Sequence, residues 1–253
     1  MITLRDGHTL ISASKDFSIR FWDISEEKEL NSIISTQGQQ PTYLYAFNDY
    51  SHFAVAYNDG NIVIYKIEYY MSEKYGRTVF RACKRTKEIE TRSPIFVLNQ
   101  TSLAKNSIVS GGSSKSVMFW DTSSSIETKR LSSHSTDIIG IVLIEDPISK
   151  NSYILSFGNH QDRFNLTNAK TGETKQMVLK DDVGVVGGKF TNPNMHLSIE
   201  KDNFNNQKLM LLACGQKGDD HFLIKVDLMG ELGGVNGGGS SLGKNASFKK
   251  NEF

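Results

Sequence analysis

The chain has 253 residues, 38% of them hydrophobic and 10% aromatic, so it can bury a proper core. Its 29 Lys+Arg stand against 28 Asp+Glu, a formal charge of +1. That balance excludes a disordered polyelectrolyte and a general nucleic-acid coat, and the length allows one or two domains.

In chain order, residues 1–4 form a first short apolar segment before the turn Asp6-Gly7. Residues 10–24 then give an apolar run, a small polar turn and an alternating run ending Phe21-Trp22-Asp23-Ile24. This is the pattern of a β-hairpin. Residues 53–67 align with it without gaps and end Ile64-Tyr65-Lys66-Ile67, and residues 108–122 are a third copy ending Phe119-Trp120-Asp121-Thr122. A weaker fourth copy spans 154–167 with Leu166 at the anchor, and a fifth, two residues longer, runs from Leu212 to Val226-Asp227-Leu228. The anchors 22, 65, 120, 166 and 226 are spaced by 43, 55, 46 and 60 residues.

Between the hairpins lie further β-prone runs at 42–47, 95–98, 138–144 and 183–190, with 30–35, 78–84 and 173–179 as outer strands. Four strands per repeat result. A twisted four-stranded sheet cannot bury both faces alone, so successive sheets stack face to face about an axis; the expectation is an all-β fold, a β-propeller of four-stranded blades with about five readable repeats. The second spacing contains 12 residues beyond the first, mostly within 68–93, enough for a long loop. The fifth repeat has a long connection at 191–208, and residues 230–243 are half glycine. The predicted organisation is therefore a propeller over 1–228 and a flexible Gly/Ser/Lys-rich tail over 229–253.

Trp22-Asp23 and Trp120-Asp121, each closing the third strand of a repeat, make the chain resemble the WD-repeat family. In that family a buried network joins an aspartate of the hairpin turn, a Ser/Thr of the second strand, the Trp and a His of the preceding loop. The resemblance places Asp16 and Asp59 at the aspartate, Trp22 and Trp120 at the Trp, and His134 at the loop His. Ser114 and His160 take the aspartate position in later copies, and Tyr65, Leu166 and Val226 replace Trp. The commonest ring of the family has seven blades clasped by an N-terminal strand. With five units readable and residues 1–4 already used as a first strand, the expectation is a ring left incomplete by this chain, completed by a partner subunit, or a fragment of a longer chain.

Chemical signals are few. Gly238 to Lys244 fits G-x-x-x-x-G-K, but Asn245 stands where a magnesium-ligating Ser/Thr belongs and no helix context follows. The six histidines lack metal-ligand spacing, no G-x-S-x-G elbow occurs, and Cys83 and Cys214 lie far apart with no CxxC partner. The expectation is no enzyme, cofactor, metal or small-molecule substrate, with both cysteines reduced and packed. The N-terminus lacks a signal peptide and the longest apolar stretch, 138–144, is too short to span a membrane, which points to a cytoplasmic or nuclear protein.

The most basic stretch holds Lys74, Arg77, Arg81, Lys84, Arg85, Lys87 and Arg92, interleaved with Tyr75 and Phe80. Basic and aromatic residues together suit RNA, and a solvated outer strand whose charges blunt edge pairing has the same composition. The resemblance implies a non-catalytic scaffold, a subunit of a larger multiprotein complex binding one or more proteins. Its candidate face carries the second-to-third-strand turns, with Lys15, Phe17, Asn58, Lys115, Asn159 and Gln161, and the loop residue Arg92. The alternatives are an RNA- or ribonucleoprotein-associated propeller using 74–92, and a ubiquitin-ligase substrate receptor, although Ser25 and Ser123 stand where the Trp-Asp-x-Arg signature needs Arg. Lipid-binding propellers carry Phe-Arg-Arg-Gly, which Phe80-Arg81-Ala82-Cys83 matches poorly.

Overall fold

Short runs with period-two burial, separated by turns rich in Asp, Ser and Gly, give a meander of antiparallel strands. A computed structural model describes residues 1–35, 38–101, 106–132, 134–145, 151–159, 163–178, 189–190, 196–201, 207–217, 220–227 and 247–249, and all statements below concern these. No helix occurs among them.

The first sheet contains β1 (Ile2–Thr3), β2 (Thr9–Ala13), β3 (Ser18–Asp23) and β4 (Lys28–Ile34), paired in that order. The second holds β5 (Pro41–Ala46), β6 (His52–Tyr57), β7 (Asn61–Ser72) and β8 (Arg77–Glu90). The third holds β9 (Ile95–Gln100), β10 (Ser107–Gly112), β11 (Ser116–Asp121) and β12 (Ile126–Ser132). The fourth holds β13 (Ile138–Glu145), β14 (Ser152–Gly158), β15 (Arg163–Asn168) and β16 (Thr174–Val178). Each is a four-stranded antiparallel blade, as the repeats predict.

The fifth sheet departs from the pattern. Its path is β17 (Lys189–Phe190), β19 (Gln207–Lys217), β20 (Asp220–Asp227) and β21 (Ser247–Lys249). The predicted connection at 191–208 supplies an additional strand, β18 (His196–Lys201), paired to the first half of β19. The predicted tail supplies β21, paired to β20 through Ile224 and Phe248. The predicted strand at 183–190 is described only at Lys189–Phe190.

By contacts the chain divides into two units, Met1–Ser114 with Met118–Arg130, and Lys115–Val117 with Leu131–Phe253. In the first, β6 is buried along almost its whole length because its alternate residues serve two cores. Phe53, Val55 and Tyr57 face blade 1, packing with Ile11, Phe21, Tyr65 and Phe80. Ala54 and Ala56 face blade 3, leaving room for Ile108, Met118 and Trp120. In the second unit Phe157 is fully buried, its ring over Gly140, where an added Cβ would lie 1.8 Å from the ring.

Candidate functional site

The Trp-Asp dipeptide has two separate jobs. Trp120 is buried and its indole Nε1 donates to Ser110 Oγ of the neighbouring strand at 2.9 Å. Asp121 turns outward, and its Oδ1 accepts the backbone N–H groups of Ser123 at 2.6 Å and Ser124 at 3.2 Å, capping the β11–β12 turn. Those hydrogen bonds lower its pKa. Blade 1 repeats both devices: Trp22 donates to Ser12 Oγ at 2.9 Å, and Asp23 accepts from Ser25 and Glu26. Trp22, however, is only half-buried, because Phe21 takes the face toward blade 2 and Trp22 points to the opposite face.

Asp16 and Asp59 do not enter such a network. Asp16 is exposed and accepts from Ser18 N–H at 3.0 Å and Ser18 Oγ at 2.6 Å, which lowers its pKa. Asp59 accepts from Asn61 N–H at 2.9 Å and Gln39 Nε2 at 2.6 Å. Both brace their own turns. His134, half-buried, does reach buried polar groups: its Nε2 lies 2.8 Å from Ser156 Oγ and 3.3 Å from Asn165 Nδ2, in a blade that has no Trp.

Blade 4 also corrects the predicted anchor. Ser156 pairs with Asn165, nine residues along, whereas Ser110 pairs with Met118, eight along. The extra turn residue moves the Trp-Asp position from Leu166-Thr167 to Thr167-Asn168. Asn168 Oδ1 accepts from Lys170 and Thr171 N–H at 2.9 and 3.0 Å, just as Asp121 caps its turn. The sequence signal was the spacing to a left-handed residue four positions on: Glu27 after Asp23, Ser125 after Asp121, Gly172 after Asn168.

The turns of the candidate face share one backbone shape. Phe17 (φ 68°), Gly60 (φ 92°) and Lys115 (φ 59°) occupy equivalent left-handed positions. Gly60 is required, since a Cβ there would sit 2.5 Å from Ser93 N. Phe17 is 40% exposed, beside Ile34 at 63%, above a cavity of about 190 Å³ lined also by Ile33, Tyr57, Tyr65 and Arg85. Burial raises the pKa of the Tyr57 and Tyr65 hydroxyls, which hydrogen-bond each other, so both stay neutral. Lys15 and Asn58 are exposed, and Asn58 Oδ1 accepts from Gln40 N–H at 2.9 Å. Arg92 is exposed at φ 62°. Asn159 donates its N–H to Asp137 O at 2.7 Å, and Gln161 lies outside the described residues.

The basic segment is a strand and a turn. The 12 extra residues form no loop but lengthen β7 and β8 into a hairpin arm, kept in register through two bulges. Pairing splits the cations between faces. Arg85 stands opposite Tyr65 on the blade 1 side and bonds Glu88 at 2.5 Å. Lys87 stands opposite Ile64 and donates to Ser123 O of blade 3 at 2.8 Å. At the tip, Lys74 Nζ is 3.1 Å from Glu26 Oε1 and 4.6 Å from the centre of the Tyr75 ring, and Tyr75 Oη donates to Glu26 at 2.5 Å. These contacts hold the Glu26 pKa down to about 2, the Tyr75 hydrogen bond first and Lys74 second. Arg77 meets His8, whose Nδ1 lies 2.8 Å from Ser25 Oγ. Phe80 stacks on Phe21 at 4.8 Å and donates its N–H to Asp6 Oδ2 at 3.2 Å. The arm is thus a strap fastened across blade 1. Among the described residues Arg81, at a bulge, Lys84 and Arg92 are the members of this set that make no polar side-chain contact.

Cys83 is half-buried on the arm, and burial pushes its thiol up to about 11, so it stays protonated. Among the described residues no group of three His, Cys, Asp or Glu side chains is placed to hold a metal ion, and no helix is long and apolar enough to cross a membrane.

No family model and no curated protein matches the sequence. Solved structures do. The chain is similar to one in the structure described as "Crystal Structure of Mitotic Checkpoint Complex", with a TM-score of 0.55 and 16% identity over 82% of this chain and 60% of that one. It is similar to "Crystal structure of RRP9 WD40 repeats" with a TM-score of 0.57 and 13% identity over 84% of this chain and 58% of that one. The chain therefore spans about three fifths of the length of each of these neighbours. With its blades and their Trp-Asp turns, the fold is that of a WD40-repeat β-propeller.

Proposed function

We propose that this chain is a non-catalytic scaffold, a WD-repeat subunit that holds other proteins within a larger complex. A neighbour of the same fold is a component of a multiprotein assembly, which supports a protein-binding role in general. The observation that carries the proposal for this chain is Phe17. A large residue in the left-handed region costs roughly 1–2 kcal/mol, and blade 2 meets the same turn with glycine. Phe17 sits there at 40% exposure, so the core does not account for it. An exposed aromatic held at a backbone cost, flanked by exposed Ile34, has the character of a binding anchor.

The test is co-purification of tagged wild-type protein, Phe17→Gly and Ile34→Ser, with melting temperatures measured in parallel. The expected result is a stoichiometric partner captured by the wild type and lost from Phe17→Gly, with its melting temperature unchanged or raised. Retention of every partner by both variants overturns the reading.

A further inference from the structure

A cavity of about 520 Å³ lies at the opposite end of the strands from Phe17. It sits between the β1–β2 turn, the β5–β6 turn and the arm of blade 2. The arm supplies Ile67, Tyr69, Arg77 and Thr78 to its lining, so the cleft follows from the extension of β7 and β8.

Its charges are unequally committed. Asp6 accepts from the N–H groups of His8, Thr9 and Phe80 and from Thr9 Oγ1, and Asp49 accepts from Ser51 N–H and Oγ. These bonds lower both carboxyl pKa values against the opposing effect of burial. The acids are thus ionised and turned to local backbone work. The cations are not so engaged. Arg5 is exposed, with no ion pair among the described residues. Arg77 meets His8 through Nη1 and lies against the Tyr75 ring, while its Nε is buried with no hydrogen-bond partner. A buried unsatisfied donor is costly and is relieved by any acceptor that reaches it. The walls between the two arginines are Ile67, Tyr50 and Tyr69, whose hydroxyl donates to Tyr50 O at 3.2 Å.

We propose that this cleft is a docking site for an acidic peptide segment, with a Glu or Asp carboxylate received by Arg5 and Arg77 and a neighbouring apolar side chain packed on Tyr50, Ile67 and Tyr69. A planar guanidinium matches a carboxylate. The class of anion follows from the lining. Asp6 and Asp49 stand within the same cleft, so a doubly charged phosphate meets two carboxylates and is disfavoured relative to a singly charged carboxylate. The proposal is independent of the Phe17 surface, which lies elsewhere on the blades.

The test uses the full chain with labelled arginine side chains and N-acetyl-glutamyl-leucine amide as probe, followed by NMR. The expected result is a saturable shift of the Arg77 Nε–H resonance and binding at least tenfold weaker for the glutamine analogue. Arg5→Gln and Arg77→Gln should each weaken the probe at least fivefold, with Arg77→Lys intermediate. Since Arg77 also fastens the arm, Arg5→Gln is the decisive variant. Absence of a saturable shift, equal affinity for the glutamine analogue, tighter binding of the phosphoserine analogue or of inorganic phosphate, or unchanged affinity in Arg5→Gln overturns the proposal.

Discussion

Blades 2 and 3 solve one problem by different chemistry. Blade 3 joins its central strands by one aromatic clasp, Trp120 on Ser110, and keeps all strands near six residues. Blade 2 has Tyr65 where the Trp belongs and Val55 where the Ser belongs, so its central strands are joined by a different pair, the hydroxyls of Tyr57 and Tyr65. It also extends two strands to 12 and 14 residues and lays the surplus over blade 1. The Trp-Ser contact is thereby replaced by a hydroxyl pair, added ladder and apolar burial of Phe80 on Phe21. A blade can depart from the Trp-Ser pattern when another side-chain pair and neighbouring surface take over its role.

The sharpest way to break this comparison is at the clasp. Trp120→Ala removes a buried indole and leaves Ser110 Oγ, itself fully buried, without its donor, so it should cost roughly 3–5 kcal/mol. Trp22→Ala should cost distinctly less, since Trp22 is half-buried. Denaturant unfolding of both variants decides it, and equal losses would show that burial does not set the difference.

The arm comes next. Phe80→Ala deletes the stacked ring at its base and should cost about 3 kcal/mol in the same measurement, the low end for a buried Phe. A loss below about 1 kcal/mol would mean that the long strands hold blade 2 without blade 1, because surface substitutions away from a core typically fall within that range.

These three substitutions also mark what the sequence could and could not disclose. Trp22, Tyr65 and Trp120 fall at equivalent pairing positions because their turns have equal length, so a gapless alignment reads them correctly. One extra residue before β15 was enough to misplace the next anchor, as a strand slipped by one presents its other face. The basic segment was legible as charge but not as a strap. The bulge at Thr86 sends Arg85 and Lys87, which plain alternation would place together, to opposite faces, and Lys74 and Arg77 are held by Glu26 and His8, about fifty and seventy positions away. The composition of 191–208 did not betray β18, and 246–248 was legible only as one of two candidates for the fourth strand that β21 supplies, whose pairing is with a strand already read as the fifth hairpin. The candidate rim was legible in its turn residues, whereas the cleft at Arg5 and Arg77 was not, being assembled from three separated turns and strands.

Smaller effects separate the equivalent turns. Gly60→Ala places a Cβ against Ser93 backbone in a left-handed conformation and should cost about 2–3 kcal/mol. Phe17→Gly at the matching position relieves strain at an exposed residue and should be neutral or stabilising by up to about 1 kcal/mol after the added chain entropy. Thermal melts of the two variants should move in different directions. A matching loss in Phe17→Gly would make Phe17 a part of the core.

The smallest effect lies at the tip of the arm. Glu26 is ionised in the folded chain down to about pH 2, below its ordinary value of 4.5, because Tyr75 donates to it and Lys74 stands beside it. A carboxyl whose pKa is depressed by folding contributes stability that is complete above the unfolded value and is lost as pH falls through the folded one. The contact should therefore be unchanged from pH 7 to about 4.5 and loosen progressively from there toward about 2. Both partners are solvent-exposed, so the effect is local rather than global. Ring resonances of Tyr75 followed by NMR should titrate in that acidic window and stop doing so in Glu26→Gln, while the Phe80 ring stays put. Tyr75 resonances that titrate identically in the variant would mean that the tip is not held by Glu26, and a Phe80 ring that moves with them would mean that the strap opens as one piece rather than from its tip.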